Sequence, residues 1–166
     1  VSVLGALDWL EHNKQTKIII AIANPQTRKK LAQKTINKCI SQNIIHPTSI
    51  ISETSKLQNG VIIQSNCLIT TNSKIGNFVH INYHSAIAHD CNIGDFVTIS
   101  PNVHINGNVT IGDDTFIGSG VTTIQGVRIG KNCVIGAGSV VITDVPDNSM
   151  YVGVPAKFKK KTKLDI

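Results

Sequence analysis

Aromatic residues are scarce in this 166-residue chain, at 4% of the sequence, with one Trp, two Tyr and four Phe. A core with so few rings must be built mainly from aliphatic side chains, and a supply rich in Ile and Val favours β-strands. Long apolar runs are also missing. The longest candidates, such as Ile18–Ala23, are far shorter than the roughly 20 residues that a membrane helix needs. Membrane insertion is therefore not expected.

Charge is neither abundant nor evenly placed. The 16 Lys and Arg residues exceed the 10 Asp and Glu residues by six. Much of this excess lies in the last ten residues, at Lys157, Lys159, Lys160, Lys161 and Lys163. The rest of the chain is nearly balanced, so a nucleic-acid-binding surface is not expected. We interpret the tail as a solvated end that could help to hold a polyanionic cofactor.

The chain also lacks a recognisable secretory signal at its N-terminus. Its four cysteines, Cys39, Cys67, Cys91 and Cys133, show no CxxC spacing. These two absences predict a reducing, cytoplasmic location.

A six-residue repeat governs about two-thirds of the chain. Steps of six from Ile45 to Val141 give seventeen positions, of which sixteen are aliphatic and only Thr123 is not. Two residues before each of these positions from Ile51 onward runs a second ladder, from Ser49 to Ser139, of small or β-branched residues. Three of the four cysteines lie on that second ladder, which indicates buried thiols rather than a metal or redox site.

A strict period of six matches neither the helical period of 3.6 nor the strand period of 2. It is typical of short parallel strands joined by tight corners, with the large aliphatic residue pointing inward. Three hexads make an 18-residue coil, so Ile45–Val141 predicts five to six coils stacked at about 4.8 Å. The pattern resembles that of the hexapeptide-repeat left-handed parallel β-helix.

The sequence predicts a mainly β protein with three regions. Residues 1–43 form a small α/β segment, with a buried strand at Lys17–Ala23 and a helix at Thr27–Lys38 that Asn24 caps and Pro25 opens. Residues 44–146 form the β-helix, and residues 147–166 form a closing motif and the basic tail. The segment lacks the Gly-rich turn that should open such a unit, so we expect the sequence to begin midway through it.

Four stretches of the repeat and its end carry a narrower resemblance. They are Asn82–Phe96, with its His-Asp pair and Ile-Gly-Asp-Phe turn, and then Gly107–Gly112, Ile135–Val141 and Val152–Lys157. Together they resemble the nucleotide-sugar acetyltransferases of the NeuD/PglD type. The last stretch occurs in many acyltransferases of this fold, so it indicates acyl transfer but no particular substrate.

The resemblance implies a general base at His89. The spacing gives this a physical basis, because Gly107 follows 18 residues later, one coil above, where a bare backbone N–H could stabilise an oxyanion. The family also implies that Asp90 orients the imidazole.

For the co-substrate, acetyl-CoA, the resemblance implies contacts at Thr98, Ser119 and Ala137, on successive coils near one edge. Relatives often have His in place of Thr98. Small residues at 119 and 137 would leave room for the pantetheine arm. The architecture commonly assembles as a homotrimer, with the site between subunits.

The resulting hypothesis is an acetyl-CoA-dependent N-acetyltransferase that acts on a nucleotide-linked amino sugar, of the 4-amino-4,6-dideoxy type, for surface-glycan synthesis. Direct attack without a covalent intermediate is expected, since no Cys or Ser stands in a nucleophile setting. Two alternatives stay open: O-acetylation of sialic acid or another sugar, and a non-catalytic trimeric scaffold.

The resemblance implies that the sugar is held largely by the N-terminal unit, including its opening Gly-rich turn. Either the first residues of that unit are missing from this sequence or the sugar binds differently. We favour the first, because Lys17–Ala23 is too apolar for an edge strand. A zinc site at His84 and His89 is not favoured, because Gly120 and Gln125, two coils above, supply no third ligand. No metal is expected.

Overall fold

Two-residue strands separated by four-residue corners repeat along most of the chain. The computed structural model describes residues 3, 5–13, 16–35 and 38–162. The strands of the coils are β3 (Ile44–Ile45), β4 (Ile50–Ile51), β5 (Lys56–Leu57), β6 (Ile62–Ile63), β7 (Leu68–Ile69), β8 (Lys74–Ile75), β9 (His80–Ile81), β10 (Ala86–Ile87), β11 (Asn92–Ile93), β12 (Thr98–Ile99), β13 (His104–Ile105), β14 (Thr110–Ile111), β15 (Phe116–Ile117), β16 (Thr122–Thr123), β17 (Arg128–Ile129), β18 (Val134–Ile135) and β19 (Val140–Val141).

These strands stack into three parallel sheets that form the three faces of a prism. The first face runs from β3 through every third strand to β18, and two closing strands, β20 (Ser149–Val152) and β21 (Lys157–Lys161), extend it. The second face runs from β4 to β19 and the third from β5 to β17. Each residue pairs with the one 18 positions later, as Ile87 does with Ile105. The predicted left-handed parallel β-helix is confirmed, with about six coils.

The interior is one continuous apolar column. The aliphatic ladder is buried from Ile63 to Val141, and Cys67, Cys91 and Cys133 are buried beside it, as predicted. Burial raises the pKa of each of these three thiols. They remain protonated and donate to backbone carbonyls, as Cys91 Sγ does to Asn106 O at 3.1 Å.

The three faces differ in what covers them. The first face is covered by the N-terminal segment, which buries His80 and Thr98. The second face is open and mostly apolar, and on it Ile50 is 68% and Leu68 41% exposed. Its outward strand residues are Ile50, Leu68, Ala86, His104, Thr122 and Val140. The third face is polar, and its outward strand residues are Lys56, Lys74, Asn92, Thr110 and Arg128.

The N-terminal segment contains α1 (Trp9–His12), β1 (Lys17–Ile18), α2 (Pro25–Thr35) and β2 (Ile40–Ser41), and β1 pairs with β2 in parallel. The helix begins as predicted, since Asn24 Oδ1 accepts from the Thr27 N–H at 2.9 Å. Its predicted last turn includes residues 36–37, which lie outside the described residues. The predicted strand at Lys17–Ala23 is wrong beyond Ile18, because β2 pairs with only two of its residues.

Arg28 fastens this segment to the coils. Its guanidinium is fully buried and donates to the carbonyl oxygens of Ile22 at 2.6 Å, Phe78 at 2.8 Å and Phe96 at 2.6 Å. Burial lowers the pKa of Arg28 to about 10, and the Asp114 charge opposes this shift. The group therefore stays cationic at neutral pH, and it links α2 to two successive corners of the β-helix.

The closing strands carry the basic tail. All five residues of β21 are exposed, and Lys163 lies outside the described residues. Among the described residues, no helix is long and apolar enough to cross a membrane.

Candidate active site

His89 lies at the corner between the second and third faces, just after β10. Its side chain is 48% exposed, and its Nδ1 lies 2.9 Å from Asp90 Oδ2. Asp90 Oδ1 in turn accepts from Asn72 Nδ2 at 3.2 Å. Hydrogen bonds from His89 and then Asn72 lower the pKa of Asp90. An ionised carboxylate only accepts, so Nδ1 carries the proton and Nε2 presents a free lone pair.

Asn72 was not identified from the sequence. It lies 18 residues before Asp90, one coil below it, and the same spacing that pairs His89 with Gly107 could have revealed it. Asp90 can reach both partners because its backbone takes the left-handed conformation, with φ at +58°. Asp and Asn tolerate that conformation better than most residues.

Gly107 lies one coil above His89, directly against the imidazole. A Cβ at this position would be 2.5 Å from His89 Nε2 and 2.6 Å from His89 Cε1. Ordinary van der Waals contact begins near 3.4 Å, so the space for the ring exists only because residue 107 has no side chain. The structure thus brings His89, Asp90 and Gly107 together on two successive coils.

The Gly107 N–H makes no hydrogen bond within the described ranges. At the corner between the third and first faces, some N–H groups at the matching position donate to a side chain 18 residues on: the Asn77 N–H to Asp95 Oδ1 at 2.7 Å, and the Asp95 N–H to Asp113 Oδ1 at 3.0 Å. At the corner that carries Gly107, the described N–H groups of Thr71 and His89 make no such bond either. Gln125 is the residue 18 positions after Gly107, and its side chain does not accept a hydrogen bond from the Gly107 N–H. A basic imidazole nitrogen and an unsatisfied backbone donor therefore lie side by side, as acyl transfer requires.

The predicted cofactor residues divide into two groups. Ser119 and Ala137 lie on successive coils at the corner between the first and second faces, and both are exposed. The Gly138 N–H donates to Ser119 O at 2.8 Å, which joins the two coils there. This corner is not the one that carries His89, and the width of the second face separates them.

Thr98 differs from the other two. It is 1% exposed beneath the N-terminal segment, where its hydroxyl donates to Ala23 O at 2.6 Å and accepts from Arg28 Nη2 at 3.0 Å. Thr98 is therefore covered by the N-terminal segment, whereas Ser119 and Ala137 are exposed. A periodic pattern cannot show which of its outward residues a non-periodic segment will cover.

His84 and His89 lie on different corners, at opposite margins of the second face. Across the described parts of the chain, no group of three or more His, Cys, Asp or Glu side chains is placed to hold a metal ion.

A three-sided parallel β-helix with a His-Asp pair against a glycine of the next coil defines an acyltransferase of the hexapeptide-repeat class. Two family models agree: the bacterial transferase hexapeptide (six repeats) matches residues 90–125, and the hexapeptide repeat of succinyl-transferase matches residues 108–143. A search of curated proteins found no match.

Solved structures narrow the class. A variant of perosamine N-acetyltransferase from Caulobacter crescentus, with CoA and GDP-perosamine bound, is 32% identical over 94% of this chain and 75% of that chain, with a TM-score of 0.90. WeeI from Acinetobacter baumannii is 34% identical over 95% and 77%, with a TM-score of 0.85. The acetyltransferase domain of PglB from Neisseria gonorrhoeae, with acetyl coenzyme A bound, is 28% identical over 95% and 78%, with a TM-score of 0.91. The chain belongs to the hexapeptide-repeat sugar acetyltransferases.

Proposed function

We propose that this protein transfers the acetyl group of acetyl-CoA to the amine of a nucleotide-linked amino sugar. The observation that carries the proposal is the placement of His89 Nε2 against Gly107, with Asp90 holding Nδ1. The relatives that bind CoA together with GDP-perosamine support the substrate class. They also support an amino sugar of the 4-amino-4,6-dideoxy type, for surface-glycan synthesis, over O-acetylation of sialic acid.

The reaction needs one base and one oxyanion donor. The sugar amine attacks the thioester carbonyl carbon while His89 Nε2 accepts a proton from the nitrogen. A C–N bond forms, and the carbonyl oxygen becomes an oxyanion that the Gly107 N–H stabilises. Collapse of this intermediate breaks the C–S bond, and the thiolate of CoA takes the proton from the imidazolium. Asp90 stabilises the imidazolium in between.

The open second face supports a homotrimer. It carries the exposed Ile50 and Leu68, whereas the third face is polar and the first is already covered. A second copy packed on this face would bring the His89 corner of one copy towards the corner of the next that carries Ser119 and Ala137. We therefore assign acetyl-CoA contact to Ser119 and Ala137 and a structural role to the buried Thr98.

We also propose a cytoplasmic location. The reaction consumes acetyl-CoA, and the four cysteines are all free, which agrees with a reducing compartment.

The first test replaces His89 with Ala. We expect kcat for N-acetylation of GDP-perosamine, followed as free thiol release, to fall by about 10² to 10⁴. The matched control is His46→Ala, an exposed histidine on the first coil, which should leave kcat unchanged. Full activity of His89→Ala would exclude His89 as the base. Turnover of sialic acid but of no nucleotide amino sugar would favour the O-acetyl alternative.

A binding measurement distinguishes the N-acetyltransferase and O-acetyltransferase hypotheses from the non-catalytic scaffold. Acetyl-CoA should raise the Tm of the wild type and of His89→Ala alike, since binding to the folded state stabilises it. A non-catalytic scaffold would show no shift.

Complementation tests the shared site. His89→Ala and Ala137→Trp should each be inactive alone, the first for lack of a base and the second because the indole fills the proposed cofactor corner. In mixed trimers, some interfaces combine an intact His89 with an intact Ala137 and should regain activity. If each site lay within one chain, no mixture would recover any.

A further inference from the structure

Thr123 is the one residue of the interior ladder from Ile45 to Val141 that carries a hydroxyl. It is 0% exposed, in a column otherwise built of Ile, Leu and Val. A buried hydroxyl costs free energy unless it is hydrogen-bonded. The proposed mechanism does not use Thr123, so its presence there calls for another reason.

The hydroxyl changes the bonding of the strand next to it. The Asn106 N–H donates to Thr123 Oγ1 at 3.1 Å, and the Asn106 side-chain amide donates to Thr123 O at 2.8 Å. The regular pattern is visible one coil below, where the Ala88 N–H donates to the backbone carbonyl of Ile105 at 2.8 Å. At residue 106 a side-chain oxygen has therefore replaced the carbonyl as acceptor.

Asn82 shows what an aliphatic residue would give instead. It is an asparagine directly after a strand, facing Ile99, and both its backbone N–H and its side-chain amide donate to Ile99 O, at 2.9 and 2.7 Å. Without the Thr123 hydroxyl, we expect both Asn106 donors to converge on the carbonyl of residue 123 in the same way.

The pairing between β13 and β16 is also altered at this point. Between β13 and β16 only His104 and Thr122 are in register. Every other parallel strand pair in the described ranges has two registered residue pairs, including Ile87 with Ile105 one coil below. The departure is confined to residues 105 and 123, and Gly107 follows Ile105 by two positions.

We propose that Thr123 is a positioning residue for acetyl transfer. Its hydroxyl holds the Asn106 backbone, and through it sets the position of Gly107 against the His89 ring. The inference rests on the proposed function, because Gly107 matters for catalysis only if acyl transfer takes place there. Thr123 touches neither substrate nor His89 and acts only through Asn106.

Two substitutions separate the hydroxyl from the packing. Thr123→Val keeps the volume and removes the hydroxyl, so kcat should fall by about 10- to 10²-fold, while KM for acetyl-CoA and Tm are not impaired. Thr123→Ser keeps the hydroxyl and removes a buried methyl, so Tm should fall while kcat stays within about twofold of wild type, the size of change expected when geometry is kept.

The matched control is Thr115→Val at another corner. Thr115 is also fully buried, donates to Gly130 O at 2.8 Å and accepts from the Cys133 N–H at 3.0 Å. Its replacement leaves a buried N–H unpaired, so Tm should fall with kcat unchanged. A drop in kcat that merely followed lost stability would appear in this variant as well.

Wild-type kcat in Thr123→Val would overturn the proposal, and so would equal losses in Thr123→Val and Thr123→Ser, which would indicate packing alone. A second measurement does not need turnover: the NMR signals of the Gly107 backbone amide and of the His89 ring beside it should differ in chemical shift between wild type and Thr123→Val. Identical signals would overturn the inference. A wild type that acetylates no sugar but shows this difference would instead contradict only the proposed function.

Discussion

Gly107→Ala is the most direct perturbation of the site, because it adds one methyl group and removes nothing. The Gly107 backbone is not in the left-handed region, so alanine can adopt it without strain. The three atoms nearest to the new Cβ all belong to the His89 ring, at 2.5, 2.6 and 3.0 Å. This ring is half exposed and can move, whereas the backbone N–H proposed as the oxyanion donor stays in place.

The size of the effect follows from the contact. To reach an ordinary separation of 3.4 Å from 2.5 Å, the ring must retreat by roughly 1 Å. A displacement of about 1 Å in a reacting group can cost about 10² in rate, equivalent to about 2.7 kcal/mol. We expect kcat to fall by about that factor and KM for acetyl-CoA to change little. Stability should not fall, since Gly→Ala at a compatible position stabilises by about 0.4–1 kcal/mol.

The assay is thiol release with GDP-perosamine and acetyl-CoA, run beside thermal unfolding of each variant. The control is a double-mutant cycle with His89→Ala. If Gly107→Ala acts by displacing the imidazole, it should lower kcat in the wild type but hardly at all in the His89→Ala background, where the imidazole is absent. Wild-type kcat in Gly107→Ala, or the same loss of kcat in the wild-type and His89→Ala backgrounds, would refute the placement of the base against the glycine.

The fold could be predicted because the β-helix repeats one environment in every coil. Each interior position faces the same column, so the aliphatic ladder and the cysteines among the small residues are visible from the sequence alone. The N-terminal segment has no such repetition. The run Ile18–Ala23 is apolar, but apolarity does not specify a pairing partner, and only two of its residues join a strand.

The site could be predicted as far as the 18-residue spacing extends. That spacing places Gly107 over His89, and it also places Asp90 over Asn72. It does not show that Arg28, a charged residue on a helix, is fully buried and bonded to Thr98 across 70 residues of sequence. Such contacts depend on how a non-periodic segment packs on the first face.

Three further perturbations test other parts of the structure. Asp90→Asn should lower kcat, because a neutral acceptor stabilises the imidazolium of His89 less than a carboxylate does; an unchanged kcat would remove Asp90 from the mechanism. Arg28→Met leaves buried carbonyls without their donor and should cost about 3 kcal/mol or more. Amide hydrogen exchange should then become faster in α2 but not in the coils. Unchanged exchange in α2 would contradict the role of Arg28 in linking α2 to the β-helix. His80 tests the covered face through pH: burial, then the Arg28 charge, lower its pKa to about 4, against a hydrogen bond to Ile20 that raises it. The unfolded chain binds this proton near pH 6.5 and the folded chain only near pH 4. Below pH 6.5 the unfolded state therefore binds more protons and is favoured, so the folded state has its full stability with respect to His80 only above about pH 6.5. The free energy of unfolding should therefore fall by up to about 3 kcal/mol as the pH drops from 6.5 to 4. Urea titrations across this range should show a flatter curve for His80→Leu, and an unchanged slope would mean that His80 is not the group responsible.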